Sequence, residues 1–252
     1  MLRTRLIPVL IVRRGQVVQS LRFQHTNIIH QKAAIAVEYF NRWAADEIVV
    51  LDVTRDRSGR EAFVETVSDL ASRCFVPLTV GGWVTSVDDV RALLRAGADK
   101  VVVNTEAVRR PAFVGECASV FGQQCIVVAV DARRDADGGH RVWVDRGRER
   151  TEWTPAAWAR RAQEAGAGEI FLTSIDHDGA RVGYDLELVH SVVAAVDVPV
   201  VAFGGVSTWQ HLVDGIVAGG ADAVAAANVF HYTEHSAKRA KEFMRQAGLA
   251  VR

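Results

Sequence analysis

Two aspartates at the ends of apolar runs and two pairs of glycines hold most of the chemistry this sequence can offer. Asp131 closes the run Ile126–Asp131. A carboxylate losing hydration at the end of a buried strand has its pKa pushed up toward neutrality, which suits proton transfer. Asp131 is therefore the candidate general acid or base, the alternative being a carboxylate that only orders its own loop. Asp52 ends a similar run and is the second catalytic candidate, although Asp52, Asp176 or Asp178 could instead position substrate. His177, between the last two, reads as a solvated loop histidine. Gly81-Gly82 and Gly204-Gly205 each follow a strand-like run. Such pairs let backbone N–H groups approach an anion closely, or else make a tight turn only. Asn104-Thr105 and Asn228 back them from the next run, and Asp178-Gly179 joins the same set. The implied ligand is small, elongated and phosphorylated, with an anion at each end. Trp83 follows the first pair, so the anion is expected most readily at Gly204-Gly205.

These residues recur because the chain repeats. Val76-Pro77-Leu78-Thr79-Val80-Gly81-Gly82 returns as Val198-Pro199-Val200-Val201-Ala202-Phe203-Gly204-Gly205, and Gly97-Ala98-Asp99-Lys100 as Gly220-Ala221-Asp222-Ala223. The same overlay sets Ile11 against Asp131, an apolar side chain where its twin has an acid. Continuous apolar runs at Leu6–Val12, Ile48–Val53, Pro77–Val80, Lys100–Asn104, Ile126–Asp131, Ile170–Ser174, Val200–Phe203 and Ala223–Ala227 alternate with helical patterns. Runs without alternation suit strands buried on both faces, and eight βα units suit a closed (β/α)8 TIM barrel built from two duplicated half-barrels. Thr154-Pro155 with Gly166, Ser86 with Asp89, and Asp185 mark helix ends. Gly15–Phe23 and Arg133–Arg150 exceed minimal loops and, after twin strands one and five, should project over the C-terminal mouth, where the sites of this fold lie. The opposite rim collects Arg5, Glu47, Lys100 and Glu169. Charges there need pairing, and the ring reads either as a stabilising plug or as a gate.

At 252 residues and 49% hydrophobic content, the chain suits one domain over 1–252, since such barrels run to about 250 residues undivided. Thirty basic and thirty acidic residues cancel, which gives no field to recruit nucleic acid or an anionic membrane. Cys74, Cys117 and Cys125 lack metal spacing and read as reduced thiols of a cytoplasmic protein. His211, His231 and His235 form no ligand pattern. Neither a metal nor an organic cofactor is expected, and no nucleophile elbow, P-loop or dinucleotide fingerprint occurs.

Together these stretches resemble the cyclase subunit of imidazole glycerol phosphate synthase over essentially the whole chain. The closest echoes are Leu51-Asp52-Val53-Thr54, Leu78-Thr79-Val80-Gly81-Gly82, Gly97-Ala98-Asp99-Lys100, Ala129-Val130-Asp131-Ala132 and Val229-Phe230-His231. The resemblance implies a barrel that binds a bisphosphorylated ribonucleotide across its mouth and receives ammonia from a separate glutaminase subunit at its base. It implies that Arg5, Glu47, Lys100 and Glu169 form the ammonia gate, that Asp99 lies at the glutaminase interface, and that the Gly-Gly loops hold phosphates. The mouth departs from that pattern. Ile11 replaces the second acid, Gln19 a lysine, Trp83 a third glycine and Ala180 a threonine. That combination is similar to a divergent branch associated with surface-polysaccharide pathways, in which an ATP-dependent amidotransferase amidinates a sugar. The expected role is ammonia delivery for that amidination. The alternatives are a genuine cyclase working with Asp131 and a substitute base, or a non-catalytic scaffold for the glutaminase.

Overall fold

The computed structural model describes residues 3–55, 59–230 and 236–252. Eight parallel strands close on themselves: β1 (Arg5–Arg13), β4 (Ile48–Asp52), β5 (Leu78–Gly81), β6 (Lys100–Val103), β7 (Ile126–Arg134), β10 (Glu169–Ser174), β11 (Val200–Phe203) and β12 (Ala223–Ala226). Closure comes from β7 pairing β10 in register from Val127↔Glu169 to Ala132↔Ser174, and from β12 pairing β1. Helices α1 (Ala33–Arg42), α2 (Arg60–Ala71), α3 (Val87–Arg95), α4 (Thr105–Arg109), α5 (Ala112–Phe121), α6 (Pro155–Ala165), α7 (Leu186–Val193), α8 (Trp209–Val217) and α9 (Ser236–Gln246) lie between and after them. The fold is a (β/α)8 barrel.

One parity rule positions the charged groups inside the two ends of the barrel. Successive side chains of a strand point to opposite faces. Ile7, Val9, Ile11, Val49, Val102, Val127, Ala129, Phe171, Val201 and Phe203 fill the barrel, whereas Leu6, Leu10, Val12, Ile48, Val50, Val128 and Val130 pack outward under the helices. Continuing the inward set downward brings Arg5, Glu47, Lys100 and Glu169 to the interior of the N-terminal rim. Continuing it upward brings Asp131 and Thr173 to the interior of the mouth, level with Ile11.

The helix signals hold in detail. Ser86 and Asp89 form a reciprocal capping box at α3, Thr154 with Pro155 starts α6, Gly166 ends it at φ 110°, and the Asp185 carboxylate accepts the Leu188 N–H at α7. The two long loops are hairpins. After β1 come β2 (Gln16–Leu21) and β3 (His25–His30), and after β7 come β8 (His140–Val144) and β9 (Glu149–Arg150). Both are antiparallel extensions of twin strands. Their tips meet above the barrel, where a Cβ added at Gly147 would stand 3.3 Å from both Phe23 Cδ2 and Ile175 Cδ1.

Candidate functional site

Beneath the hairpins the mouth divides into two hollows that share Phe203. Its ring packs against Phe171 in a tilted arrangement, 5.3 Å between centroids and 39° between planes, inside the barrel. The larger hollow, about 860 Å³, is floored by Ile11, Ala129 and Phe171 and holds Asp131, Asp52, Asn104 and Trp83 on its walls. The smaller, about 380 Å³, lies against Gly204-Gly205, Asn228, Gly179 and Arg181.

Asp131 is 8% exposed. Asn104 Nδ2 donates to its Oδ2 at 2.6 Å. Burial pushes its pKa up to about 7, helped by the charge of Asp178 and opposed by hydrogen bonds from Thr173 and Asn104. A carboxyl tuned in this way exchanges a proton with little driving-force penalty near neutral pH. On the twin strand Ile11 occupies the corresponding interior level and exchanges nothing.

The other candidates are held by internal bonds. Asp52 Oδ1 accepts the Thr54 amide at 2.9 Å and its hydroxyl at 2.5 Å. Asp178 is 4% exposed, and its Oδ2 accepts the Ser20 hydroxyl at 2.6 Å and the Phe23 amide at 3.3 Å. Burial raises its pKa, against those bonds. Gly179 packs where a Cβ would meet Leu21 at 2.5 Å. Asp178-Gly179 thus clamps the β2–β3 hairpin over the mouth, while Gly179 also lines the smaller hollow. Asp176 accepts the Arg134 amide. His177 is part-buried, with Nδ1 2.8 Å from the Gly183 carbonyl; it sits beside Asp185, whose pKa falls to about 2 despite burial because His140 and the Leu188 amide bond it. His211 Nδ1 accepts the Ser207 amide, and His231 and His235 lie outside the described residues. Among the described residues no cluster of three or more His, Cys, Asp or Glu could hold a metal, and no helix is long and apolar enough to cross a membrane. The three cysteines are free thiols.

The two glycine loops differ. Gly205 (φ 94°) leaves no room for a side chain, since a Cβ would fall 2.1 Å from the Gly183 carbonyl oxygen. That contact closes the loop against its neighbour and turns it toward the smaller hollow. On the other loop Trp83 takes φ 55°, a left-handed conformation that a bulky residue rarely adopts. Its indole N–H donates to the Thr54 carbonyl at 2.9 Å, and the Arg146 guanidinium lies 4.6 Å from its ring centroid.

At the opposite rim, Arg5 Nη1 donates to Glu47 at 2.8 Å and Nη2 to Glu169. Lys100 Nζ stands 3.1 Å from Glu47 and 2.8 Å from Glu169. Thr79 donates a further bond to Glu47 at 2.6 Å. Positive and negative groups alternate around one closed ring of zero net charge. The glutamates are 3% and 6% exposed; at that depth an uncompensated charge would be prohibitive, and pairing makes the ring tenable. Asp99 is exposed, and its Oδ2 accepts the Leu78 amide at 2.8 Å. Its twin Asp222 does the same for Val200, and Asp46 for Leu6. These rim carboxylates satisfy strand-end N–H groups, a structural task that Asp99 performs without any partner.

Sequence reasoning missed Arg146, Arg181 and His140. All three approach the mouth or its edge through hairpin and loop contacts that leave no local pattern. The closed (β/α)8 barrel carries hairpins on its twin strands and two adjoining hollows at the C-terminal ends of its strands. Residues 5–236 match the model of the histidine biosynthesis protein family, and the chain belongs to that family.

Proposed function

We propose that this chain is an ammonia-using subunit of a glutamine amidotransferase complex, taking ammonia from a separate glutaminase at the strand N-terminal rim and delivering it toward the mouth for amidination of a sugar in glycan biosynthesis. The observation that carries this is the pairing of opposite ends. The rim keeps a fully assembled Arg5–Glu47–Lys100–Glu169 ring, while the mouth has Ile11 where a cyclase needs its second acid. In this reading the ring serves ammonia entry, a use that does not depend on a second acid in the mouth. The glutaminase and the ATP-dependent sugar amidotransferase are partners in this reading, and Asp99 lies on the face the glutaminase would cover.

Copurification with the cognate glutaminase tests it. Barrel binding is expected to stimulate glutamine hydrolysis, and a third protein carrying a sugar acceptor is expected to consume the ammonia. No complex, or a complex whose ammonia is used only with the histidine-pathway ribonucleotide, overturns the reading. The second outcome would favour a genuine cyclase, for which the near-neutral pKa of Asp131 in a large hollow is the supporting observation.

A further inference from the structure

The twin hairpins over the mouth are both fastened to one loop, the stretch 175–185 between β10 and α7. The first hairpin turns through Arg22 and Phe23, at φ 50° and 59°, with the Gln24 N–H bonded back to the Leu21 carbonyl at 3.0 Å. Such a turn suits Asn-Gly. For Arg-Phe two left-handed residues in a row are costly and persist only where the surroundings impose them. Asp178 imposes them. Its carbonyl accepts the Arg22 N–H at 3.0 Å, and its Oδ2 accepts the Phe23 N–H at 3.3 Å and the Ser20 hydroxyl at 2.6 Å. Gly179 lets the turn sit down on the loop, since a Cβ there would fall 2.6 Å from the Ser20 carbonyl oxygen.

The second hairpin is fastened at its base. Asp176 Oδ2 accepts the Arg134 N–H at 2.9 Å, and Asp185 Oδ2 lies 2.9 Å from His140 Nε2. Nearer its turn this hairpin is also tied to Thr105, through the Asp145 N–H, and to the Thr54 carbonyl, through Arg146. The loop that holds both hairpins is itself braced. His177 Nδ1 lies 2.8 Å from the Gly183 carbonyl, and the Gly183 N–H reaches the Gly205 carbonyl at 2.9 Å. The buried Tyr184 hydroxyl donates to the Ala225 carbonyl at 2.9 Å, which anchors the loop to β12. Ile175, at its start, meets both turns: a Cβ on Gly147 would lie 3.3 Å from Ile175 Cδ1 and from Phe23 Cδ2.

We propose that the 175–185 loop is the positioning element of the larger hollow, setting one hairpin through Asp178 and the other through Asp176 and Asp185. Phe23 and Arg146, one from each turn, line that hollow. The loop therefore bears on both sides of the space a substrate would enter, and its three carboxylates act as positioning residues. This goes beyond the ammonia reading and does not depend on it. The hairpins are fastened in this way whether or not the rim admits ammonia, so the two accounts can fail separately.

Hydrogen exchange read at single amides by NMR on the full chain tests this, with thermal melts run alongside. Asp178→Ala should speed exchange at Phe23 at least about tenfold, the worth of the two bonds its carboxyl accepts, and leave Arg134 within about twofold. Asp178→Asn, whose carbonyl can still accept from Ser20 and Phe23, should recover most of the protection. His177→Ala removes the brace inside the loop and no bond to either hairpin. It should speed exchange at both Arg22 and Arg134 by about fivefold, with barrel-strand amides such as Val80 unchanged. A His177→Ala variant that loosens one hairpin only, or neither, would overturn the proposal. So would an Asp178→Ala variant that keeps Phe23 protected, or loss of protection throughout the barrel in both His177→Ala and Asp178→Asn, which would make the effect one of global stability.

Discussion

Asp131→Asn should make the protein more stable above neutral pH, and the size of the effect follows from where the carboxyl sits. In the fold, burial holds the Asp131 pKa up at about 7, whereas in the unfolded chain it returns to about 3.9. Between those values the native state keeps a proton that the unfolded state has released. Native stability from this group is therefore complete below the unfolded pKa and is lost as pH rises through the folded one. At about 1.4 kcal/mol for each pH unit, the loss approaches 4 kcal/mol at about pH 8. Asparagine cannot ionise, and its carbonyl can still accept the Asn104 Nδ2 hydrogen bond. Urea unfolding of both proteins, followed by circular dichroism from about pH 4.5 to about pH 8, isolates the effect, because titrations shared by the two cancel. The variant's advantage should be smallest at the acid end and grow to a plateau of about 2–4 kcal/mol. A difference that stays flat with pH, or a variant less stable than wild type at the alkaline end, would refute a buried carboxyl with a raised pKa.

Other perturbations probe the rim, the duplicated loops and the reaction itself. Lys100→Met leaves Arg5 alone between two buried carboxylates and should cost about 3 kcal/mol by urea unfolding, with Glu169→Gln in the same chain recovering part of it. Gly205→Ala drives a Cβ toward the Gly183 carbonyl and should lower Tm sharply or prevent soluble expression, whereas Gly138→Ala, with open space around it, should lower Tm only slightly. Ser86→Ala removes one half of the α3 capping box and should cost about 1 kcal/mol. Given the bisphosphorylated ribonucleotide and ammonium salt, wild type should turn over at least about 10²-fold below the usual ~1–10³ per second. Ile11→Asp should rescue it poorly, because Gln19 and Trp83 stay as they are; wild-type turnover within the usual range would restore the cyclase.

Much of the barrel is legible in the sequence because strands buried on both faces cannot afford polar interruptions, so each appears as an unbroken apolar run. The ends of those runs then carry the interior charges by parity alone, which is why Arg5, Glu47, Lys100, Glu169 and Asp131 could be named as candidates from position. The capping box at Ser86 and the Thr154-Pro155 start are local signals with local causes, and they translate directly into structure. The strand His25–His30 is not legible in this way. It is polar and largely exposed, and exists as a strand through its pairing with β2. The division of the mouth is hidden for a related reason. Whether Thr105, Asp178 or Trp83 faces a ligand or an internal partner depends on hairpins 40 to 158 residues away along the chain, and no spacing rule records such contacts.

Isotope competition in the assembled complex tests the proposed entry of ammonia through the rim ring. The barrel with its glutaminase and the acceptor-bearing third protein would be given glutamine labelled with ¹⁵N in the side-chain amide, in the presence of excess unlabelled ammonium. Passage through the ring predicts aminated product enriched in ¹⁵N well above the bulk ammonium, with Lys100→Met bringing it toward the bulk ratio. Wild-type product at the bulk ratio would mean that the ammonia reaches its acceptor through solvent and not through the ring.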